Sequence, residues 1–340
     1  PIKELTLPQR LILTEILKKY LNRSHPKYPI LEKDLAKRWA GYWGERALAN
    51  YGKELPQEKY LILHGLELKL GDIYFQIDTL LISKTHIQII EAKNIIGNLY
   101  FDHVFNQLIR VNPDGTEESL EDPRTQCRRL QSLLTRWLIQ HKLTLLPIDY
   151  LNFFKSTNKT ILKTTGTGTE TTRICKGSDL FNKIEDCEKQ YKQVKIQPGK
   201  LHEIAFPVKQ ANPKPIDILK EYDLTETDLD RGVQCPSCTY IPMEYQRGKW
   251  ICPKCNHPSK SGHIEAINDY FLLIKPTITN HECLTMLHLP TSDITRKVLI
   301  PLKLPTTGHT KNRLYHQWPG SKSYLILEEQ LLNQNQLQRR

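Results

Sequence analysis

The sequence lacks any apolar stretch long enough to cross a membrane. No run of about 18 apolar residues occurs among its 340 residues, which excludes a transmembrane helix. The first 20 residues follow the spacing of an amphipathic helix with charges throughout. They lack the unbroken apolar centre and small-residue cleavage site of a secretory signal. We therefore expect a cytoplasmic protein without membrane contacts.

Cysteine is too sparse, and the chain too long, for a disulfide scaffold. The sequence has 8 cysteines, whereas disulfide-stabilised domains are short, secreted and dense in cysteine.

A P-loop is also absent, because Gly166-Thr167-Gly168 is not followed by Gly-Lys-Ser/Thr. There is no internal repeat. With 39% hydrophobic and 25% charged residues, the composition is that of a soluble globular protein.

Positive charge is concentrated towards the two ends of the sequence. Residues 1–40 carry 9 Lys and Arg against 4 Asp and Glu, and residues 231–340 carry 14 against 7. Residues 41–230 are balanced, with 25 against 26, within a net charge of +11. Basic flanks around a carboxylate-rich centre suit a protein that holds nucleic acid around a metal site. Charge alone is equally compatible with simple solubility.

The order of helix and strand patterns predicts an α/β domain over residues 41–192. Residues 1–40 predict a separate helical segment with a turn at His25–Pro29, and residues 193–231 contain four prolines and predict a linker with one short helix. Within the domain we expect a helix over 41–52, strands over 60–68, 74–82 and 86–93, a helix over 122–140, strands over 148–154 and 160–165, and a helix near 178–191.

Polar side chains interrupt two of these apolar strands. Asp78 lies inside one apolar run, and Glu91 and Lys93 close the next. Residues i and i+2 share a strand face, and paired strands lie about 5 Å apart. Asp78 can therefore lie beside Glu91 if the strands pair. Two carboxylates that close repel each other and raise a pKa unless a divalent cation lies between them.

A divalent cation at this position predicts phosphodiester hydrolysis. Mg²⁺ (or Mn²⁺) could bind a phosphate oxygen and lower the pKa of a bound water, while Lys93 stabilises the developing charge. The alternative is that Glu91 and Lys93 form a salt bridge at a sheet edge and Asp78 caps a turn. We expect His64 and His86, in or beside strands, to be structural.

Four sequence blocks together resemble the nuclease-related domain, NERD, of the PD-(D/E)XK nuclease superfamily. They are GYWGERALANYG from residue 41, QIDTLLIS from residue 76, IIEAKNIIG from residue 89 and DPRTQ from residue 122. The resemblance covers about residues 41–192. Together with the cysteine pairs that follow, it is similar to NERD proteins of Bacillus-like bacteria. It implies a restriction-endonuclease-like core.

The resemblance also implies a catalytic set. Its members are Glu45, Asp78, Glu91, Lys93 and Gln126, with Asp78 and Glu91 holding the metal. Gln126 corresponds to the superfamily's helix-borne glutamine. The sequence departs from the family pattern at Ile77, where proline is usual, and at Asp122, where asparagine is more frequent. The acidic and lysine positions are intact, which favours an active copy. From the residues alone, Glu45 could instead lie on a solvated helix face.

Two Cys-x-x-Cys pairs predict a metal site behind this domain. Cys235 and Cys238 are separated by 13 residues from Cys252 and Cys255. Four thiolates complete the tetrahedral shell of a structural Zn²⁺. The intervening residues offer two short strands around Arg247-Gly248, the layout of a zinc ribbon. A redox-active dithiol needs only one such pair and a βαβ context.

Residues 264–318 loosely resemble a winged helix-turn-helix. A capping pattern at Thr279–Glu282 begins the second of three helical runs. The third, over 292–302, would be the recognition helix, followed by a basic hairpin as the wing. The predicted nucleic-acid contacts are Arg296 and Lys297 on this helix and Lys311 and Arg313 on the hairpin. The alternative is a bundle for packing or protein contact.

The sequence thus predicts an α/β protein with a restriction-endonuclease-like (PD-(D/E)XK) core, a four-cysteine zinc ribbon and a small C-terminal helical, winged-helix-like domain. Its predicted function is metal-dependent cleavage of nucleic acid, DNA being favoured, in DNA processing, repair or defence. A non-catalytic DNA-binding protein on a nuclease scaffold and an operator-binding regulator are the alternatives. Oligomeric state, and exonuclease against endonuclease action, are left open. The predicted boundaries are 1–40 helical segment, 41–192 nuclease-like domain, 193–231 linker, 232–263 zinc ribbon, 264–318 helical domain and 319–340 polar tail.

Overall fold

The computed structural model describes residues 1–112, 114–155, 160–164, 169–197, 200–209, 215–309, 312–318, 328–329 and 331–333. Lys311 and residues 166–168 lie outside the described residues, as does most of 319–340. The chain divides into two units, Pro1–Thr6 with Lys37–Pro215, and Leu7–Ala36 with Ile216–Arg340. None of the helices formed by the described residues is both long and apolar enough to cross a bilayer.

The longest helices and strands lie in the first half of the chain, and most of those in the second half are shorter. The helices are α1 (Gln9–Tyr20), α2 (Tyr28–Gly52), α3 (Pro123–Gln140), α4 (Leu180–Gln190), α5 (Leu201–Lys209), α6 (Ile218–Glu221), α7 (Gly262–Leu273), α8 (Asn280–Leu287) and α9 (Ser292–Leu299). The strands are β1 (Leu61–Leu70), β2 (Ile73–Ile82), β3 (Ile87–Lys93), β4 (Gly97–Asp102), β5 (Gln107–Val111), β6 (Glu117–Glu121), β7 (Ile148–Phe154), β8 (Thr160–Thr164), β9 (Ile174–Lys176), β10 (Glu244–Gln246), β11 (Lys249–Ile251), β12 (Pro258–Ser259), β13 (Thr277–Thr279), β14 (Thr306–Thr307) and β15 (Leu314–His316).

The first unit is built on a five-stranded mixed sheet of order β1-β2-β3-β7-β9. Strands β1, β2 and β3 pair antiparallel, whereas β7 runs parallel to β3 and to β9. Helix α3 packs its apolar side chains, among them Leu134 and Trp137, on one face. The other face is covered by Leu48 of α2 and by Leu180 and Ile184 of α4. The predicted mixed α/β architecture is confirmed.

A second, four-stranded sheet of order β6-β5-β4-β8 was not predicted, although the strand expected over residues 160–165 is present as β8. Strands β4, β5 and β6 lie between Lys93 at the end of β3 and the start of α3, and β8 follows β7. Its buried cluster is small, comprising Leu99, Phe101 and Leu108 with Phe154 from β7. Strand β6 reads Glu-Glu-Ser-Leu-Glu, and its burial pattern is almost wholly exposed. Strands that bury so few side chains carry little apolar periodicity, so the pattern along the sequence does not reveal them.

Two helices differ from the sequence prediction. Helix α2 was expected to begin at Gly41 but begins at Tyr28, whereas its predicted end at Gly52 is correct. The helix continues through Gly41, since a single interior glycine destabilises a helix by only about 0.5–1 kcal/mol. The predicted linker over residues 193–231 was expected to contain one short helix but contains two, α5 and α6, and Ile204 and Val208 of α5 lie in the core of the first unit. Pro207 inside α5 conceals the helical spacing of these apolar residues.

The second unit joins two small sheets to short helices. Strands β10, β11 and β12 form one sheet, and β13, β15 and β14 form the other. The larger apolar core of this unit includes Cys235, Trp250, Phe271 of α7 and Leu287 of α8. A separate cluster packs Leu13 and Leu17 of α1 with Ile218 of α6. The predicted capping pattern is present, because the amide of Glu282 donates to Thr279 Oγ1 at 3.1 Å and the amide of Thr279 donates to Glu282 Oε2 at 2.8 Å.

Candidate functional site

Asp78 and Glu91 lie on neighbouring antiparallel strands, one step beyond the pair Thr79 and Ile90. The amide of Asp78 donates to Glu91 Oε1 at 3.2 Å, and the amide of Ala92 donates to Asp78 Oδ2 at 2.9 Å. Each carboxylate is thus held by a backbone N–H of the opposite strand. Glu91 is 2% exposed. Pairing of β2 with β3 therefore brings the two carboxylates together, as their positions in the strands predict.

Gln126 links helix α3 to this pair of strands. Its Nε2 donates to Glu91 Oε2 at 3.1 Å, and its Oε1 accepts from Lys93 Nζ at 2.6 Å. Both oxygens of Glu91 therefore receive a donor, and the lysine is held beside the carboxylate on the same strand face. The first turn of α3 is fixed by Asp122, whose side chain accepts from the amide of Arg124 at 2.8 Å. This cap determines where Gln126 lies.

Glu45 approaches the carboxylates from helix α2. Its neighbour Gly44 packs against the end of β3, where an added Cβ would lie 3.1 Å from Asn94 Cβ. The Asn94 side chain donates to the carbonyl of Ala40 at 2.7 Å, which joins the helix to the strand end. Glu45 Oε2 is buried and has no hydrogen-bond partner. An unsatisfied buried carboxylate oxygen is costly, and in a native structure it calls for an explanation such as an ion.

The three carboxyl groups have raised pKa values. Burial, and then the charge of Asp78, raise the pKa of Glu45 to about 8, while Lys3 opposes the shift. Burial raises the pKa of Asp78, against the Ala92 amide and Lys93. Burial, followed by the charge of Asp78, raises the pKa of Glu91 well above its usual value. Negative charge in this cluster is therefore incompletely compensated by the protein itself.

Oxygen donors of this kind suit a hard divalent cation such as Mg²⁺ or Mn²⁺. The unpaired Glu45 Oε2 and the raised carboxyl pKa values both fit such an ion, which would replace the missing positive charge. The carboxylate oxygens nevertheless lie farther apart than the cysteine sulfurs. In the part of the chain that the structure describes, only the four cysteines bring three or more ligand atoms within 4.8 Å of one another.

Lys3 is a charged neighbour of the site that sequence reasoning missed. Its Nζ donates to the carbonyls of His64 at 2.7 Å and Gly65 at 2.5 Å. Gly65 has a φ of +55° and faces Asp78 in the β1–β2 register. The charge of Lys3 lowers the pKa of Glu45. A glycine inside a strand pattern often marks a close approach of another segment, and this was the available signal.

The predicted cysteine site is closely assembled. The sulfur atoms of Cys235, Cys238, Cys252 and Cys255 all lie within 4.8 Å of one another and could hold a metal ion. Two equivalent turns present them, in which the amides of Thr239 and Asn256 donate to the carbonyls of Cys235 and Cys252, each at 2.9 Å. Thr239 and Asn256 have φ values of +61° and +58°. The β10–β11 hairpin between the turns reverses at Arg247-Gly248, as predicted.

The remaining predicted contacts lie in the second unit. Arg296 and Lys297 are exposed on α9, and Arg296 Nη1 lies 3.6 Å from Asp293 Oδ1. Arg313 is exposed just before β15, and Lys311 is outside the described residues. The two histidines are hydrogen-bonded, as expected of structural residues: His64 Nδ1 lies 2.9 Å from Thr79 Oγ1, and His86 Nδ1 lies 2.8 Å from Thr85 Oγ1. Burial lowers the pKa of His64 to about 4.

Comparison with known proteins identifies one part of the chain. No curated protein and no solved structure gives a significant match. Residues 40–155 match the family model of NERD, described as the nuclease-related domain. This range contains Glu45, the Asp78–Lys93 strand pair and Gln126. The resemblance predicted from the four sequence blocks is therefore confirmed: residues 40–155 match the nuclease-related domain.

Proposed function

We propose that this protein is a nuclease that hydrolyses phosphodiester bonds, with DNA as the favoured substrate. The proposed active site, on a restriction-endonuclease-like core, consists of Glu45, Asp78, Glu91, Lys93 and Gln126. The observation that carries the proposal is the buried, unpartnered Glu45 Oε2 beside two further carboxylates with raised pKa values. The nuclease-related match over residues 40–155 supports the same reading.

Asp78 and Glu91, with Glu45, are the residues that would hold Mg²⁺ or Mn²⁺. Such an ion supplies Lewis acidity to a phosphate and lowers the pKa of a bound water. The protein's own contribution is preorganisation, because the amides of Asp78 and Ala92 hold the two strand carboxylates before substrate arrives. Fixed dipoles in a buried site need no reorganisation during the reaction.

Lys93 would act on the substrate rather than on the metal. Its Nζ is held by Gln126 Oε1 at 2.6 Å, and Gln126 is in turn held by Glu91. These two hydrogen bonds place one positive charge beside the carboxylates, where it can stabilise the negative charge that develops on phosphate oxygens. Gln126 is accordingly a positioning residue that orients both Lys93 and Glu91.

The cysteine cluster is proposed to hold a structural Zn²⁺ in a zinc ribbon over residues 232–263. Four thiolates leave no coordination position for substrate or water. The following elements run in the order α7, β13, α8, α9, β14, β15, which supports a winged-helix domain. Exposed Arg296 and Lys297 on its third helix are proposed to contact nucleic-acid phosphates.

Cleavage of labelled single- and double-stranded DNA and RNA tests this proposal. We expect cutting with Mg²⁺ or Mn²⁺ that falls at least about 100-fold in Asp78→Asn and Lys93→Ala. The matched controls are Asp72→Asn and Lys69→Ala, which change exposed residues of the same β1–β2 hairpin. They should cut like the wild type. Ca²⁺ substitution is preferable to a strong chelator, which would also strip the cysteine site.

Two outcomes would contradict the nuclease proposal. Equal cutting by the wild type and by both site variants would identify a contaminating nuclease. Binding of nucleic acid that survives both substitutions, without cutting under any divalent cation, would make the protein a binding module on a nuclease-related scaffold.

A further inference from the structure

A hairpin tip in the first unit carries two strongly exposed apolar side chains. Strands β4 and β5 pair antiparallel as far as Asp102 and Gln107, so that residues 103–106 form the loop. Val104 is 77% exposed and Phe105 is 76% exposed. Among the described residues they are the most exposed large hydrophobic side chains. Water contact of this extent is unfavourable for two adjacent large apolar groups, so a role outside the core is indicated.

The loop that presents these side chains is ordered by hydrogen bonds. Asp102 Oδ1 accepts from the amides of Val104 at 2.9 Å and Phe105 at 3.2 Å. Asp102 Oδ2 accepts from Gln107 Nε2 at 3.0 Å. Asn106 completes the reversal with a φ of +52°. The apolar pair is therefore held outwards by a defined turn, which reduces the entropy lost on binding.

The tip is tied to the helix that carries Gln126. His103 Nδ1 lies 2.9 Å from Arg124 Nη1, and His103 Nε2 lies 2.5 Å from Thr164 Oγ1. Arg124 is buried, and its Nε donates to both oxygens of Asp122 at 3.0 Å. Gln126 follows Arg124 by two residues. The hairpin tip is therefore anchored to the first turn of the helix whose Gln126 contacts Glu91 and Lys93.

Helix α3 supplies charge of the sign that nucleic acid needs. Its sequence contains four arginines and no acidic residue. Arg128, Arg129 and Arg136 lie on its exposed face, at helical spacing opposite the buried leucines. Arg128 Nη2 donates to Thr125 Oγ1 at 3.0 Å. Guanidinium groups in a row on one helix face suit a phosphate backbone.

We propose that Val104 and Phe105 form a wedge that inserts between stacked bases of a nucleic acid whose backbone lies along the exposed arginines of α3. This inference rests on the proposed nuclease function and adds how the substrate is gripped. Two side chains are too small a patch for a stable protein interface, which needs about 800 Å² per partner. They match the apolar wedges with which proteins open single base steps.

The test uses DNA duplexes and forks with 2-aminopurine at successive positions, whose fluorescence rises when the base is unstacked. The full-length protein carries Glu91→Gln, so that the probe is bound but not cut. In this background the fluorescence should rise at one or two adjacent positions. Phe105→Ala should abolish most of that rise while affinity falls less than about tenfold. Phe206→Ala is the matched control, because Phe206 is 61% exposed on α5, and it should change neither readout.

Replacing both Arg128 and Arg129 with Gln tests the backbone part of the proposal. Affinity should fall at every probe position alike, and the slope of log affinity against log salt should decrease by about 2, roughly one per lost phosphate contact. An unchanged salt slope would overturn the assignment of these arginines to the backbone.

The outcomes separate the wedge from the nuclease proposal. If the wild type cuts DNA but bound duplexes show no fluorescence rise, or Phe105→Ala keeps it, the wedge is overturned and the nuclease stands. If the rise occurs and depends on Phe105 without any cutting by the wild type, the wedge stands and catalysis is overturned. Absence of nucleic-acid binding overturns both.

Discussion

The carboxylates of the first unit and the cysteines of the second differ in how the chain assembles them. All four cysteines lie between residues 235 and 255, and two turns and one hairpin bring them together. The carboxylates come from helix α2 and from strands β2 and β3, between residues 45 and 91. One site needs only local geometry, whereas the other exists only when a helix packs onto a paired sheet.

The two sites also differ in how completely the protein satisfies them. The cysteine sulfurs form a compact quartet with room for one ion and no open position. The carboxylates are buried, repel one another and leave Glu45 Oε2 without a partner. Native structures retain such unfavourable arrangements mainly at functional sites. The comparison therefore supports the two proposals, a structural role for the cysteine site and a chemical role for the carboxylate site.

The largest expected effect is at the cysteine site. Cys252→Ser should remove one bound metal ion per chain and unfold the core around Trp250, because metal binding to such sites contributes about 10–16 kcal/mol to folding. Metal analysis and thermal unfolding would measure both effects. Cys283→Ser is the control, since Cys283 is buried in the same core but does not belong to the quartet. Unchanged metal content in Cys252→Ser would remove the basis of the comparison.

Core substitutions test whether the two units unfold separately. Leu134→Ala in the first unit and Leu287→Ala in the second each remove a fully buried side chain, and each should cost about 2–5 kcal/mol. Hydrogen exchange measured by mass spectrometry should show faster exchange in β3 and β7 for Leu134→Ala, and in α7 and α8 for Leu287→Ala. Faster exchange in both units from either substitution would indicate one cooperative unit.

The pH dependence of stability should distinguish the carboxylate site. Burial and Asp78 raise the pKa of Glu45 to about 8, so the neutral form stabilises the metal-free fold. That stability is fully present below the unfolded pKa near 4.5 and is lost as pH rises through about 8. Each pKa unit corresponds to about 1.4 kcal/mol, so the effect is of the order of a few kcal/mol.

Glu45→Gln should remove this dependence and make the metal-free protein more stable than the wild type at pH values above about 8. Urea unfolding across pH would measure this dependence. The buffer should contain neither added divalent cations nor chelator, so that any metal held by the cysteines is retained. Mg²⁺ should restore wild-type stability at high pH and have less effect on the variant. Parallel pH profiles for the two proteins would show that Glu45 does not titrate with folding.

The smallest expected effect concerns the second unit's contacts. Replacing Arg296 and Lys297 together with Ala should weaken DNA binding several-fold and reduce the salt slope by about 2. Lys254 and Lys260, exposed beside the cysteine cluster, provide the matched double Ala control. Fluorescence anisotropy at several salt concentrations is the measurement. A salt slope equal to that of the control would place nucleic-acid contacts elsewhere.

Local patterns predicted the central elements well. Strands β1, β2, β3 and β7 and helix α3 lie where apolar periodicity placed them. Strands β4, β5 and β6 of the second sheet were missed because they bury few side chains, as β6 shows, whereas β8 was predicted. The linker predicted over residues 193–231 was expected to hold one short helix but holds two, because Pro207 masks the apolar spacing of α5. The predicted roles of the site residues, of the zinc ribbon and of the winged helix stay predictions until the variants above are measured.

By itself, the sequence determined the features that depend on neighbouring residues. Glu91 and Lys93 share a strand face because side chains alternate, and each Cys-x-x-Cys turn presents two sulfurs because its backbone reverses within four residues. Tertiary structure decided which distant groups join them. Packing brings Glu45, Lys3 and Gln126 to the strand pair and buries the carboxylates, and burial gives the carboxyl groups their raised pKa values. It likewise anchors the Val104–Phe105 tip beside α3. Such convergence depends on long-range packing free energy, which no short pattern along the chain encodes.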